Sequence, residues 1–417
     1  MLKTAHSERL HIVFVGVCNA GKSSLVNALA GRSLSIVSDE PGTTTDPVEK
    51  SMEFGELGPV RLVDTAGFDD ETSLGKLRSE RTLEVVSRGD IFVLATPCNK
   101  KPSGTEHAIL EKLVASRKPI LVAATFSDSA INAEKDYWLK NIVAKYSGPG
   151  DENSSFQGKI AVCLVSSFTG SGLPAMKDEL LALNSVAAKE KTPLEGLVEQ
   201  GDSVILVTPV DSAAPKGRLI LPEATVLRDA LDRGCITSVV QPEQLAACYA
   251  MYAKKPRLVV TDSQAFSEVA AVLPDDQELT SFSILFARKK GELSWFGPGI
   301  SALDGLKEKE CIELLAIEAC THNRTHEDIA TVKIPAMLSA KTGAKVNVRP
   351  VRTLRDIPPE KQYDLAVICG SCMATRSAFA AQMRALRTAG VPVVNFGLML
   401  AWGKGLMPRV LKPLGYA

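Results

Sequence analysis

Two groups of residues in this 417-residue chain have types and spacings that could do chemistry. Gly16-Val-Cys-Asn-Ala-Gly21-Lys22-Ser23 has the spacing GxxxxGK[ST]. In such a loop glycines let backbone N–H groups turn inward around phosphates, and the following helix presents its positive N-terminal end. Gly16, Asn19, Ala20, Gly21 and Ser24 then line the cradle, Lys22 reaches the β- and γ-phosphates, and the Ser23 hydroxyl ligates Mg²⁺. Near the other end, Cys320-Thr-His322 and Cys369-Gly-Ser-Cys372 put soft ligands in two close pairs. Thiolate suits zinc or an iron–sulfur cluster and imidazole suits either, so together the pairs point to a metal. His326 reads as a solvated side chain.

Asp64-Thr-Ala-Gly67 has the spacing of an aspartate that holds Mg²⁺ through water and a glycine that senses the γ-phosphate. Between it and the first loop lies Pro41-Gly42-Thr43-Thr44-Thr45-Asp46, which resembles the switch I segment of the TrmE/Era/EngA branch of small GTPases. That resemblance implies GTP as the nucleotide and Lys22, Ser23, Thr44, Asp64 and Gly67 as the catalytic set. Thr44 would be a second Mg²⁺ ligand, and Asn19, with the backbone near Thr43, would hold a K⁺ against the phosphates. Ser166-Ser167-Phe-Thr-Gly170-Ser-Gly172 resembles the branch's last motif, whose N–H groups approach the base. The branch's Asn-Lys-x-Asp is here Thr125-Phe126-Ser127-Asp128. Asp128 can still accept hydrogen bonds from guanine, and Phe126 replaces the lysine stem as a ring that could stack. Phe68 stands where many GTPases have a glutamine, so the attacking water is left to Glu71 or the K⁺, and slow, K⁺-stimulated hydrolysis is expected.

The elements that must position these groups are legible in the patterning. Apolar runs at His11–Gly16, Val60–Asp64, Ile91–Ala95, Pro119–Ala124 and Ile160–Val165 read as buried strands between helices, the signature of a sheet covered on both faces. A linker-like segment, Ala187–Pro193, leads to a second series: strands at Val204–Val207, Ile236–Val240 and Arg257–Thr261, with helices at Glu223–Asp232 and Glu243–Tyr252. It carries no chemical motif, which fits an assembly module. Strands at Ile312–Glu318, Val346–Arg349, Leu365–Ile368 and Val391–Asn395 predict a third unit, with both cysteine pairs just after strands. The fold class is therefore α/β: a P-loop domain over residues 1–186, followed by α/β domains over 194–277 and 278–417, with mainly parallel sheets.

Composition narrows the function classes. Lysine plus arginine and aspartate plus glutamate are 48 each, so no overall field steers the chain to nucleic acid. The N-terminal residues lack a signal peptide, and no apolar run approaches ~18 residues, so a cytoplasmic protein with no membrane partner is expected. Of nine cysteines, Cys98, Cys163, Cys235, Cys248 and Cys311 are scattered among apolar neighbours and read as inert packing.

With Ala213-Ala-Pro-Lys-Gly-Arg-Leu-Ile-Leu-Pro222, Glu318-Ala-Cys320-Thr-His322, Val332-Lys-Ile-Pro335 and Cys369-Gly-Ser-Cys372-Met373, the chain resembles the HydF family of [FeFe]-hydrogenase maturation GTPases over nearly its whole length. The resemblance implies a GTPase domain, a dimerisation domain and a domain with a [4Fe–4S] cluster on Cys320, Cys369 and Cys372, with His322 matching as well. It implies a scaffold or carrier of the diiron precursor, a homodimer or higher oligomer, and [FeFe]-hydrogenase and radical-SAM maturases as partners. The family's histidine before Cys-x-x-Cys is here Ile368, which leaves the fourth iron to His322 or an exchangeable group. An RNA-associated GTPase of the TrmE/Era type with structural zinc is the alternative. Neutral charge and the lack of an aromatic-basic run argue against it.

Overall fold

The structure is a computed structural model that describes residues 9–31, 48–67, 89–146, 159–186, 191–209, 219–291, 293–317, 329–351, 362–369, 372, 374 and 375–416. The chain divides into two compact units, Met1–Lys189 and Glu190–Ala417. The division falls inside the segment expected to be a linker.

The first unit is built on a six-stranded sheet. Its strands are β1 (Leu10–Val15), β2 (Val48–Glu53), β3 (Pro59–Asp64), β4 (Ile91–Pro97), β5 (Ile120–Thr125) and β6 (Ile160–Leu164), in the order β2-β3-β1-β4-β5-β6. All pairs are parallel except β2 with β3. Because parallel strands are covered on both faces, their side chains feed two cores. Ile12 and Phe14 pack with Leu25, Leu29 and Leu180 on one face. Val13 and Val15 pack with Ile109, Leu113 and Trp138 on the other. β2 was not anticipated: Val-Glu-Lys-Ser-Met-Glu is a charged edge strand with only partial burial, and nothing in it alternates as an inward face would.

The second unit holds two four-stranded parallel sheets. The first consists of β7 (Ser203–Val207), β8 (Ile236–Val240), β9 (Leu258–Thr261) and β10 (Leu279–Ser281), ordered β10-β9-β7-β8. The second consists of β11 (Cys311–Ile317), β12 (Lys345–Val351), β13 (Leu365–Ile368) and β14 (Val393–Asn395), ordered β12-β11-β13-β14. One hydrophobic core draws on both, joining Ile205, Val259 and Leu279 to Leu314, Val367 and Val394 through helices Phe282–Lys290 and Phe396–Gly403. Asn395 is fully buried at this junction. Its amide donates to the Ser283 carbonyl at 3.0 Å, and its Oδ1 caps the next helix by accepting from Leu398 N–H at 2.7 Å. The class is thus α/β throughout, with mainly parallel sheets. Among the described residues no helix is long and apolar enough to cross a membrane.

Candidate nucleotide and metal sites

β1 ends in the phosphate loop, and helix Lys22–Ala30 begins immediately after it. A side chain on Gly16 would lie 2.3 Å from the Ala95 carbonyl of β4, so the loop can pass that strand only with glycine there. Gly21 (φ 85°) and Asn19 (φ 57°) take left-handed conformations that turn the backbone inward. Lys22 is buried, its ammonium donating to the carbonyls of Gly16 at 3.2 Å and Val17 at 2.8 Å, within the same loop. Ser23 and Ser24 follow along the helix, both exposed, and Ala20 is fully buried.

β3 delivers Asp64, and the Thr65 hydroxyl ties its end to β1 by donating to the Phe14 carbonyl at 2.7 Å. Gly67 backs directly onto the loop: a methyl there would stand 2.5 Å from the Cys18 sulfur. Burial pushes the Asp64 carboxyl above its usual value, against the opposing pull of a hydrogen bond from Ser23 and the charges of Lys22 and Lys50. Its Oδ1 is buried without a hydrogen-bond partner among the described residues. A carboxylate with one orphaned oxygen next to a serine hydroxyl is a hard-oxygen pair that fits Mg²⁺. Thr43, Thr44, Phe68 and Glu71 lie outside the described residues.

On the base side, Thr125 ends β5, and its buried hydroxyl donates to the Ala20 carbonyl of the phosphate loop at 2.8 Å. Phe126 follows with φ 60° and a 38% exposed side chain. Its ring stands 3.6 Å from where a methyl on Gly21 would be. Asp128 is exposed two residues on. The neighbouring loop after β6 is fastened to this one by Ser127 N–H on the Val165 carbonyl at 3.3 Å. Ser166 is buried there, its Oγ accepting from Thr169 N–H at 3.2 Å, while Ser167 is partly exposed.

Behind these loops lies a group that the motifs did not reveal. Lys135 is fully buried, and its ammonium donates to Glu106 Oε1 at 2.9 Å and to Thr96 Oγ1 at 2.7 Å, while the Thr96 hydroxyl also bonds Glu106. Burial raises the Glu106 carboxyl, but hydrogen bonds from Lys135, Thr96 and the Ser103 N–H outweigh it and leave the group below its usual range. Burial lowers Lys135. Ser103-x-x-Glu106 is a capping box visible in the sequence, but nothing local marks Lys135 as its partner. Cys98, expected to be inert, is a junction instead: its N–H donates to the Thr125 carbonyl at 2.9 Å, its thiol to the Phe126 carbonyl at 3.2 Å, and its carbonyl accepts from Asn132 N–H at 2.9 Å. Cys163, Cys235 and Cys248 are buried as expected, whereas Cys311 is exposed at the start of β11.

In the second unit, β12 and β13 flank β11 on opposite sides, so the strand order reverses direction at β11. Such a switch point opens a crevice beyond the carboxyl ends of the strands. Ile317 and Ile368 are register partners there, and the Cys369 N–H donates to the Ile317 carbonyl at 3.3 Å. Cys369 is partly exposed and Cys372 buried. Thr375 then caps helix Arg376–Thr388 by accepting from Ala378 N–H at 3.2 Å. Ile368 is fully buried in the core, so the position where the resembled family has histidine is a packing position here. Cys320, His322 and His326 lie outside the described residues, and among the described residues no three His, Cys, Asp or Glu side chains gather as a metal site.

Comparison with known proteins divides the chain in a similar way. A family model described as 50S ribosome-binding GTPase matches residues 11–126. Models described as Hydrogen maturase F dimerization domain and Hydrogen maturase F tetramerization domain match residues 194–291 and 294–413. The tRNA modification GTPase MnmE of Chromobacterium violaceum is 40% identical over 107 residues, which is 25% of this chain and 24% of that protein. GTPase Der of Xylella fastidiosa is 35% identical over 134 residues, 31% of this chain and 29% of that protein. The chain thus spans less than a third of the length of these curated relatives. Among solved structures, an Aquifex aeolicus Era variant bound to GDP and aluminium fluoride covers 63% of this chain and 97% of its own, at 16% identity and a TM-score of 0.34. The G domain of the T. maritima FeoB iron transporter covers 42% of this chain and 99% of its own, at 20% identity and a TM-score of 0.31.

Proposed function

The chain belongs to the hydrogen maturase F family, and we propose that it is a GTP-hydrolysing scaffold that assembles and delivers the diiron precursor of [FeFe]-hydrogenase. In the first unit Lys22 would exchange its two loop carbonyls for β- and γ-phosphate oxygens. Ser23 and Thr44, with the orphaned oxygen of Asp64 acting through water, would hold Mg²⁺, which neutralises phosphate charge when bound. Gly67 would sense the γ-phosphate, Asp128 would accept from the guanine edge, and the backbone at Ser166 and Ser167 would approach the base. Asn19 and Thr43 would hold the K⁺ that speeds an otherwise slow hydrolysis. Equal rates in K⁺ and Na⁺ would remove that part of the scheme.

In the second unit residues 194–277 would serve dimerisation and 278–417 a [4Fe–4S] cluster, with Cys320, Cys369 and Cys372 as thiolates and His322 or an exchangeable group on the last iron. The observation that carries this is the Cys369 N–H on the Ile317 carbonyl. It couples the start of Cys-x-x-Cys to the end of β11, three residues before Cys320, so two separate sequence motifs leave adjacent strand ends at a switch point. Soft thiols in that position suit iron or zinc and do not suit a hard cation. When bound, the cluster would supply an iron with a displaceable ligand, which suits a carrier. Dimerization and tetramerization domains support a homo-oligomer. Hydrogenase and radical-SAM maturases would be its partners, in the cytoplasm. An RNA-associated GTPase with structural zinc is not favoured, because the segment after the nucleotide unit matches maturase F. The test is the anaerobically purified protein: a brown sample with iron and sulfide supports the scaffold, whereas a colourless one with stoichiometric zinc overturns it.

A further inference from the structure

We infer that Phe126 is the platform on which the purine of the nucleotide stacks, that Cys98 positions it, and that selectivity among purines is left to Asp128. The inference rests on reading the first unit as a GTP site and adds how that site holds its base. Phe126 is a bulky residue with φ 60°, in a region that glycine or asparagine enters far more easily. Its carbonyl is fixed from two sides, by the Cys98 thiol at 3.2 Å and by Ser129 N–H at 2.9 Å. Cys98 is fully buried and is itself held by its N–H on the Thr125 carbonyl and by Asn132 N–H on its own carbonyl. The outcome of this bracing is that the ring leaves the core and lies against Gly21, at the mouth of the phosphate loop.

A nucleotide whose phosphates occupy that loop and whose base edge reaches Asp128 has to cross the ring between them. The hydroxyl of Thr125 spends its one proton on the Ala20 carbonyl, so it has none to donate to the base. Stacking favours every base because every base has a π face. Discrimination then falls to the carboxylate of Asp128. Guanine presents it with two donors, hypoxanthine with one, and adenine with a ring nitrogen that can only accept.

The experiment is equilibrium binding of GDP and IDP to the full-length chain and to variants. Phe126→Gly removes the ring and also relieves the left-handed strain, so a merely structural residue would be improved by it. The expected result is about 10- to 100-fold weaker binding of both nucleotides, with their ratio unchanged, and a thermal midpoint at or above that of the parent chain. Phe126→Trp should bind within about 3-fold of the parent, and the fluorescence of the added indole should fall when GDP is bound. Cys98→Val should lose part of the affinity, and Cys98→Ser, which keeps a donor, should recover it. Unchanged GDP affinity in Phe126→Gly, or indole emission indifferent to GDP, would overturn the inference. A parent chain that binds no GDP would instead sink the nucleotide reading beneath it.

Discussion

The phosphate loop and the Cys369–Cys372 pair both follow the carboxyl ends of parallel strands, yet their surroundings differ. In the first unit polar groups other than Asp64 Oδ1 are engaged with the protein: Lys22 with two carbonyls, Thr125 with Ala20, Thr65 with Phe14, and a fully buried Lys135 with Glu106. In the second, the fully buried strand ends Ile317 and Ile368 lead to Cys369, partly exposed, and Cys372, buried. A nucleotide is gripped largely by backbone N–H groups, which the fold orients as it forms. A metal is gripped by side chains from separate segments, and binding it is part of organising them. The first kind of site can be recognised without its occupant, and the second only in outline.

Lys22→Ala tests the contrast most severely. It should lower GTP turnover by about 10²–10³-fold, the usual cost of losing a donor to transition-state charge, and leave iron per chain unchanged. Phosphate release and iron assays on the same preparation decide this, and joint loss would show that the sites are not independent. The converse is that Cys320→Ser, Cys369→Ser and Cys372→Ser each strip most of the iron while GTP turnover persists. His322→Ala should keep most of the iron, alter the EPR signal and impair hydrogenase activation; loss as complete as in Cys369→Ser would make His322 a structural ligand.

Stability effects sharpen the comparison further. Lys135→Met leaves a buried carboxylate unpaired and should cost about 3–5 kcal/mol. The double change with Glu106→Leu should restore most of it, and chemical denaturation of the three variants measures both. Asp64 gives the smallest effect. Because burial raises its folded pKa, it supports the fold below its unfolded pKa, and that support is lost as pH rises through the raised value. Above the raised value, without Mg²⁺, the charged group is therefore a burden. Asp64→Asn should raise the midpoint of the nucleotide-free chain slightly and abolish stabilisation by Mg²⁺ with GTP. Calorimetry with and without the pair would detect either failure.

Glycines, a lysine and a serine at set spacing after an apolar run were enough to write the phosphate loop, since backbone cradles need few residue types and those in one short stretch. β13 was legible to the residue for a related reason: a strand buried throughout advertises itself as an apolar run. β2 was not, because an edge strand half in water has no such obligation. The stretch after the linker read as two α/β series divided at 277/278, but β10 (Leu279–Ser281) pairs with β9 of the first sheet, and the core that the two sheets share depends on contacts between distant segments. Cys98 looked like packing because its neighbours in sequence are apolar, and its use comes from Phe126, twenty-eight positions away across a sheet. Local chemistry is encoded by spacing along the chain, and so the sequence alone marked which unit carries the phosphate loop and where the paired cysteines lie. Which carbonyl a buried lysine or thiol meets depends on the strand order, and only the tertiary structure decided it.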